Sequence, residues 1–440
     1  MDPVFDAQFR TIKDDFTARG VEIDIAYTPA GDVDHVYATD RLLALVSPER
    51  SVDQLCRWLP GLQPLPDEQQ PQVTGGGAAG TAGPGAAGDG TAGAGGLVAF
   101  GLDRLDDGRL GVHEALQLLE GRAGQDELDR ARASGVPLAT PDHVLHITRL
   151  CPAAEPEVPE GGQARPWPAP RAAGQVRRQI SIGVCDTGLL ENLDLAQVPW
   201  LTGVTGEPDT LPPPLGDGRQ PIPAFAGHGT FIAGVVRCLA PGVSVVVTDH
   251  FSTSGAELES EMVSKLDQLA ATQPDLICLS AGTYTRQNWT CLGFEEFRRR
   301  WPEITLVAAA GNESTNRPFY PAAFDWVVAV GALGADQRHR AWFSNFGDWV
   351  DVYAPGEGLV NAYATGEYRY LEPPKRPSRQ SFRGMARWSG TSFAAPVVAG
   401  LIAERAAGSG RPVADVVEEV LDDARAQPVD GVGPALTIDA

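Results

Sequence analysis

Gln179-Ile180-Ser181-Ile182-Gly183-Val184-Cys185-Asp186-Thr187-Gly188 is a short apolar run that ends on a carboxylate and a turn. An unbroken apolar run of this length predicts a strand buried on both faces. The pattern then repeats at 243–248, 276–280, 305–309 and 326–330, with helical stretches such as 256–272 and 294–300 in between. Strands alternating with helices predict an α/β domain, a parallel sheet covered on both faces. In such sheets ligands bind beyond the carboxyl ends of the strands. Asp186, Ser280-Ala281-Gly282 and Gly311-Asn312 all fall at such ends.

Two further segments complete a chemistry. Gly227-His228-Gly229-Thr230-Phe231-Ile232-Ala233-Gly234 offers an imidazole, and Ser389-Gly390-Thr391-Ser392-Phe393-Ala394-Ala395-Pro396 offers a hydroxyl where an apolar helix opens. A serine hydroxyl is a weak nucleophile and needs a base within hydrogen-bond reach. His228 can serve, because imidazole titrates near neutrality and can return the proton to a leaving amine. Asp186 would hold that ring in one tautomer and stabilise its cation. Gly227 and Gly229 are read as leaving room beside the imidazole for substrate backbone. The Ser392 N–H and the helix dipole point at developing negative charge, and Pro396 is placed in the first turn, where a missing N–H costs little. Ala308-Ala309-Ala310-Gly311-Asn312-Glu313 adds a carboxamide at a strand end, so that Asn312 Nδ2 and the Ser392 N–H would form an oxyanion hole. Singly, these motifs read as a turn, a helix cap and a loop. Together, in the chain order Asp, His, Ser, they are the parts of a nucleophilic hydrolase.

Residues 179 to about 425 resemble the subtilisin-like serine protease (subtilase) family. The resemblance rests on Asp186-Thr187-Gly188, His228-Gly229-Thr230 through Ala233-Gly234, and Gly390-Thr391-Ser392 through Ala395-Pro396. Ser280-Ala281-Gly282, Asn312 with Glu313, Phe343-Ser344-Asn345-Phe346-Gly347 and Val350-Asp351-Val352-Tyr353-Ala354-Pro355-Gly356 support it. It implies a three-layer subtilisin-like fold and a serine endopeptidase acting through an acyl-enzyme, with Asp186, His228 and Ser392 catalytic and Asn312 and Ser392 supplying oxyanion donors. It also implies substrate binding by Ser280, Ala281, Gly282, Gly311 and Glu313, the first three by strand pairing with the substrate backbone. Glu313, at the rim, would favour a basic or polar side chain before the cut bond. Sedolisin relatives resemble a different pattern, with Glu as base and Asp at the oxyanion position; His228 and Asn312 speak against it. Phe393 stands where the family commonly has methionine, a change expected to alter packing and not chemistry. Structural calcium is implied as well, but no compact Asp-rich loop assigns its ligands, and no other metal or cofactor is expected. The competing reading is a latent or inactive subtilase-fold protein that binds peptides under the control of its N-terminal domain.

Upstream, residues 1–150 read as a small α+β unit. Residues 41–47 and 97–102 suggest strands, 51–62 and 111–120 helices, and 143–148 a closing strand. Ser51 and Gln54 have capping-box spacing. A tract of Gly, Ala and Thr at 74–96 is read as a flexible insertion, and the Pro/Gly-rich stretch 151–173 as a stiffer linker to a peptidase domain over 174–440. Subtilase propeptides are small α+β domains ending in a strand that feeds the active site. By that resemblance, 1–150 is an intramolecular inhibitor or chaperone, with an unrelated recognition domain as the alternative, Ala139-Thr140-Pro141-Asp142-His143-Val144-Leu145-His146 is its last strand, and Arg177-Arg178 marks a candidate cleavage site. Residues 361–388 look like an insertion before the nucleophile. Its basic cluster, Lys375, Arg376, Arg379, Arg383 and Arg387, is read as a solvated loop, with a substrate-contacting or self-cleaved loop as the sharper alternative.

Composition narrows the partners. At 440 residues, two domains are expected. A formal charge of −22 argues against nucleic acid or an anionic membrane as a partner, leaving a protein or peptide substrate and a monomer as the expectation. No apolar run reaches membrane-spanning length. The acidic start Met1-Asp2-Pro3-Val4-Phe5-Asp6 lacks the apolar region of a secretory signal, and six cysteines lack metal-ligand spacing. A cytoplasmic enzyme engaged in limited intracellular processing is the expectation.

Overall fold

The computed structural model describes residues 3–47, 50–71, 96–102, 104–105, 108–109, 111–147, 155–160, 165–251, 254–371 and 375–439. The tract at 74–96 lies outside them apart from Gly96, as do 151–154 and 161–164 of the linker. The N-terminal unit runs α1 (Pro3–Ala18), β1 (Ile23–Tyr27), β2 (Val33–Val46), α2 (Val52–Trp58), β3 (Leu62–Pro64), β4 (Gly96–Leu102), α3 (Val112–Arg122), α4 (Gln125–Ser134) and β5 (Thr140–His146). The strands lie in the order β5-β2-β4-β3, antiparallel throughout, with β1 on β2. Ser51 caps α2, its Oγ accepting the Gln54 N–H at 3.3 Å. The helix ends at Trp58, and Leu62, read as its last residue, opens β3.

The second unit runs β6 (Ser181–Asp186), β7 (Thr205–Gly206), α5 (His228–Leu239), β8 (Ser244–Asp249), β9 (Ala256–Leu258), α6 (Glu259–Ala271), β10 (Leu276–Leu279), α7 (Leu292–Arg300), β11 (Thr305–Ala309), β12 (Val328–Leu333), β13 (Val352–Pro355), β14 (Leu359–Arg369), β15 (Arg379–Trp388), α8 (Thr391–Ser409) and α9 (Val413–Ala426). Seven strands form one parallel sheet in the order β7-β8-β6-β10-β11-β12-β13. One apolar core fills the face under α5, α8 and α9, including Ile182, Val184, Phe231 and Val398. Another fills the opposite face under α6 and α7, with Met262, Leu266, Phe294 and Phe297. This is the expected three-layer α/β fold. The chain goes from β6 to β8 on one side and returns to β10 on the other, so the strand order reverses at β6. Ligand crevices form where this happens, and Asp186 ends that strand.

Two segments differ from their sequence reading. Residues 256–258, read as the start of a helix, form β9, which pairs antiparallel with β5 and extends the N-terminal sheet across the boundary between the two units. Ala256 and Leu258 are buried with Ile12, Phe16, Ile25 and Val144 of the N-terminal unit. That partner lies more than a hundred residues upstream, so no local pattern announces it. The basic stretch 361–388 is not a solvated loop over its described length. It is the antiparallel hairpin β14–β15, with Tyr363, Tyr368, Phe382 and Trp388 buried.

The described linker is strapped to the second unit. Glu157 bridges to Arg387, Trp167 to Val360, and the Arg171 N–H donates to Cys238 O at 2.8 Å. Arg177 donates to Ala407 O at 2.8 Å, near the far end of α8. Fifteen residues of helix separate Ala407 from Ser392, about 22 Å. The Arg177-Arg178 pair is therefore out of reach of Ser392. Among the described residues no helix is long and apolar enough to cross a membrane, and Cys56, Cys185, Cys238, Cys278 and Cys291 are free thiols.

Candidate active site

Asp186 closes β6 fully buried, its backbone carbonyl accepting the His250 N–H at 2.7 Å. His228 opens α5. Its Nδ1 lies 2.8 and 2.9 Å from the two Asp186 carboxylate oxygens. A carboxylate can only accept, so the neutral ring carries its proton on Nδ1 and leaves the Nε2 lone pair as a base. Trp388 and Phe393 pack on the ring at 5.3 and 5.0 Å between centroids. Phe393, the residue after Ser392, thus fixes the imidazole plane.

The close fit of α5 on the Asp186 turn explains the glycines. A Cβ on Gly229 would sit 2.6 Å from Gly188 O. Gly227 has φ +82°, and a side chain there would meet Tyr363 and Leu190. These glycines serve the approach of helix to turn and pocket wall; they do not clear space for substrate. Thr187 joins the two segments, its Oγ1 accepting the Gly229 N–H at 3.1 Å and contacting Asp209 at 3.2 Å.

Ser392 lies in the first turn of α8, where backbone N–H groups have no partner within the helix. Its Oγ is 3.4 Å from the carbonyl oxygens of Ile147 and Ser280, facing them and not His228 Nε2. Pro396 is the sixth residue of α8, beyond the first turn. Its missing N–H would have bonded the Ser392 carbonyl four residues back. That carbonyl instead accepts the Ser280 hydroxyl at 2.8 Å, which ties the Ser392 backbone to the end of β10. Asn312 Oδ1 accepts the Thr391 N–H and hydroxyl at 2.9 and 3.0 Å. With its oxygen so used, the carboxamide presents Nδ2 as the donor, on the side of Gly390.

Glu313 lies beside Asn312, with Oε2 accepting from Tyr284 Oη (2.8 Å), the Asn312 N–H (2.9 Å) and Asn345 Nδ2 (3.2 Å). This network holds the Gly311-Asn312 turn. Gly311 has φ +96°, and a Cβ there would lie 2.5 Å from Asn345 Nδ2. Ala281 is buried, and a Cβ on Gly282 would fall 2.5 Å from Tyr320 O.

The N-terminal unit occupies the crevice. The His146 N–H donates to Gly282 O at 3.0 Å, the Gly282 N–H returns to His146 O at 3.1 Å, and the Ile147 N–H donates to Gly255 O at 2.9 Å. Residues 146–147, at the end of β5, are thus hydrogen-bonded to Gly282 on one side and Gly255 on the other, with Ile147 O at Ser392. Every residue of β5 is buried, and its Asp142 and His143 side chains are matched across the boundary. Asp142 accepts from the Ser260 N–H and hydroxyl at 3.1 and 2.6 Å. His143 Nε2 accepts the Arg286 N–H at 3.3 Å, so its Nδ1 carries the proton and donates to Glu259 Oε2 at 3.0 Å. Burial pushes His143 down to about 3 and holds it neutral; burial likewise raises Asp142 and Glu259 to about 7. His143, Glu259 and Cys291 are the one convergent His/Cys/Asp/Glu trio among the described residues. A buried nitrogen, oxygen and sulfur set does not suit calcium, which takes oxygens alone.

Asp209 is a functional neighbour that no motif announced; its signal is only its position between Asp186 and His228. It accepts the Gly227 N–H at 2.6 Å, and burial, with help from Asp186, raises its carboxyl to about 6. The folded protein therefore holds this proton more tightly than the unfolded chain. The associated stability is complete below about pH 4 and is lost as pH rises through about 6. Asp209→Asn keeps an acceptor oxygen and removes the titration. The stability of wild type relative to Asp209→Asn is expected to fall between pH 4 and 7, by on the order of 1–3 kcal/mol. Melting curves of both proteins across that range check it; a constant gap contradicts it.

Residues 177–412 match the model of the subtilase family. Subtilisin DY of Bacillus licheniformis is 31% identical over 247 residues, covering 53% of this chain and 78% of that one. A thermophilic serine proteinase of Bacillus sp. (strain AK1) is 31% identical over 191 residues, covering 40% of this chain and 41% of the relative. Among solved structures, a cold-adapted subtilisin-like serine proteinase aligns with a TM-score of 0.44 at 21% identity, over 61% of this chain and 92% of that one. A mutant of the protease domain of PatA aligns with a TM-score of 0.44 at 23% identity, over 58% of this chain and 91% of that one. The family match spans more than half of the chain and contains both partners of the Asp186–His228 pair, Asn312 and Ser392: this protein belongs to the subtilase family of serine peptidases.

Proposed function

We propose that the chain is a serine endopeptidase working through Asp186, His228 and Ser392, for limited intracellular processing. Residues 1–150 act as its intramolecular inhibitor or chaperone. Ser392 Oγ adds to a substrate carbonyl carbon while its proton passes to His228 Nε2, and Asp186 stabilises the imidazolium. Asn312 Nδ2 and the Ser392 N–H take the oxyanion. The C–N bond breaks, the leaving amine collects the proton from His228, and water then hydrolyses the ester by the same relay. Gly282 and Gly255 hold the substrate backbone by strand pairing. Gly311 and Glu313 hold the Asn312 turn.

The observation that carries this reading is the segment at 146–147. The chain's own segment is bound between Gly282 and Gly255 with a carbonyl against Ser392, in the manner of a substrate. It supports inhibition by occupancy and self-cleavage just after Ile147. A latent peptide-binding protein would bind the same segment without cutting it. The test adds isolated 1–150 to separately produced 174–440 and follows hydrolysis of a peptide library. Inhibition by 1–150, with cut sites that sequencing can define, is the expected result. Failure of 1–150 to bind or inhibit sinks the inhibitor reading, and absence of cuts by 174–440 sinks the enzyme reading.

A further inference from the structure

The basic hairpin has an occupant. Glu157 pairs backbone to backbone with Arg387 of β15, its N–H donating at 2.8 Å and its carbonyl accepting at 2.7 Å. Its carboxylate meets both Lys375 and Arg387. Two residues earlier, Glu155 is only 2% exposed. Its carboxylate accepts the Leu371 N–H at 2.7 Å and the Tyr368 hydroxyl at 3.3 Å. Between them, Pro156 O accepts the Tyr370 hydroxyl at 3.0 Å. An alternating Glu-Pro-Glu segment is thus read by side chains and backbone together, one carboxylate in a closed polar pocket and the other between two cations. A solvated basic loop would provide neither.

The position of this site gives it a purpose. Arg387 is followed by Trp388, whose ring packs on His228. Ile147, at Ser392, is eight residues before Glu155, a span of at most about 28 Å. The chain is therefore gripped on both sides of the nucleophile: by Gly282 and Gly255 upstream and by the hairpin downstream.

We propose that the pocket formed by Tyr368, Leu371, Lys375 and Arg387 is a binding site for an extended acidic segment, filled by Glu155-Pro156-Glu157 of the same chain. It anchors the chain downstream of Ile147 for its first cut. This rests on the self-cleavage reading above and adds what selects the bond. The reaction is hydrolysis: one water is consumed, the upstream fragment ends in a carboxylate, and the downstream fragment begins with an amine. Because Glu155 and Glu157 lie downstream of the cut and stay attached to the peptidase unit, the new N-terminus remains clamped beside the site.

The test compares full-length wild type with Glu157→Lys and with the charge exchange Glu157→Lys, Lys375→Glu, Arg387→Glu. Intact-mass time courses give self-cleavage rate and position, and an added peptide reports turnover after cleavage is complete. Losing two partly exposed ion pairs and adding repulsion is expected to slow Glu157→Lys on the order of tenfold and scatter its cut positions. Its turnover of the added peptide stays within about twofold of wild type, and the exchange restores the wild-type cut position. Unchanged rate and position in Glu157→Lys overturn the clamp while leaving self-cleavage standing. Wild type that hydrolyses the peptide but stays intact also overturns the clamp. Wild type that does neither, even after removal of 1–150, removes the underlying peptidase reading as well.

Discussion

Ser392→Ala is expected to lower kcat for peptide hydrolysis by roughly 10⁴- to 10⁶-fold, with KM changed only a fewfold. In the proposed mechanism this hydroxyl is the nucleophile that His228 deprotonates, so the residual rate without it reflects the oxyanion donors and binding alone. The strand-pairing groups at Gly282 and Gly255 are backbone atoms of other segments and survive the change. Asn312→Ala is the graded comparison: one oxyanion donor is worth about 10²- to 10³-fold in kcat. In Asn312→Ala the Thr391 N–H and hydroxyl also lose their acceptor, so some stability loss accompanies it. Steady-state kinetics on one peptide with all three proteins check the order. A Ser392→Ala protein that retains about a hundredth of wild-type kcat contradicts the assigned chemistry.

His143→Ala is expected to raise the initial rate at which uncut full-length protein hydrolyses an added peptide, by about 10- to 100-fold. His143 donates to Glu259 and accepts from the Arg286 backbone, all three buried between the two units. Deleting one side of such a contact leaves buried polar groups unpaired at about 1–3 kcal/mol, a cost present only while the units are docked. Undocking frees Ser392 from residues 146–147. His143→Asn tests the mechanism, because its amide can still donate toward Glu259. It is expected to sit closer to wild type than to His143→Ala. Equal latency in all three proteins, read before any self-cleavage, contradicts inhibition by docking.

Much of the site was legible because its chemistry is written in short local motifs. Asp186, His228, Asn312 and Ser392 each stand at a strand end or helix start that apolar periodicity locates within a few residues. What those motifs did not carry was long-range. Strand β9 is defined by a partner in the N-terminal unit, and its three residues looked like the first turn of the helix that follows. The β14–β15 hairpin was hidden by its arginines. Arg379, Arg383 and Arg387 mask the apolar positions Phe382, Ala386 and Trp388, and the partner that neutralises Arg387 is Glu157, far upstream. Pro396 shows a subtler limit. From sequence alone its missing N–H looked harmless, whereas the structure uses the freed Ser392 carbonyl to anchor Ser280.

The central proposal is one reactive serine, Ser392, covered by its own N-terminal unit. Fluorophosphonate labelling with site mapping by mass spectrometry tests that claim most directly. The expected result is a single adduct on Ser392, fast in protein freed of residues 1–150 and slow in uncut chain. Freed protein that stays unlabelled, or an uncut chain labelled equally fast, contradicts it.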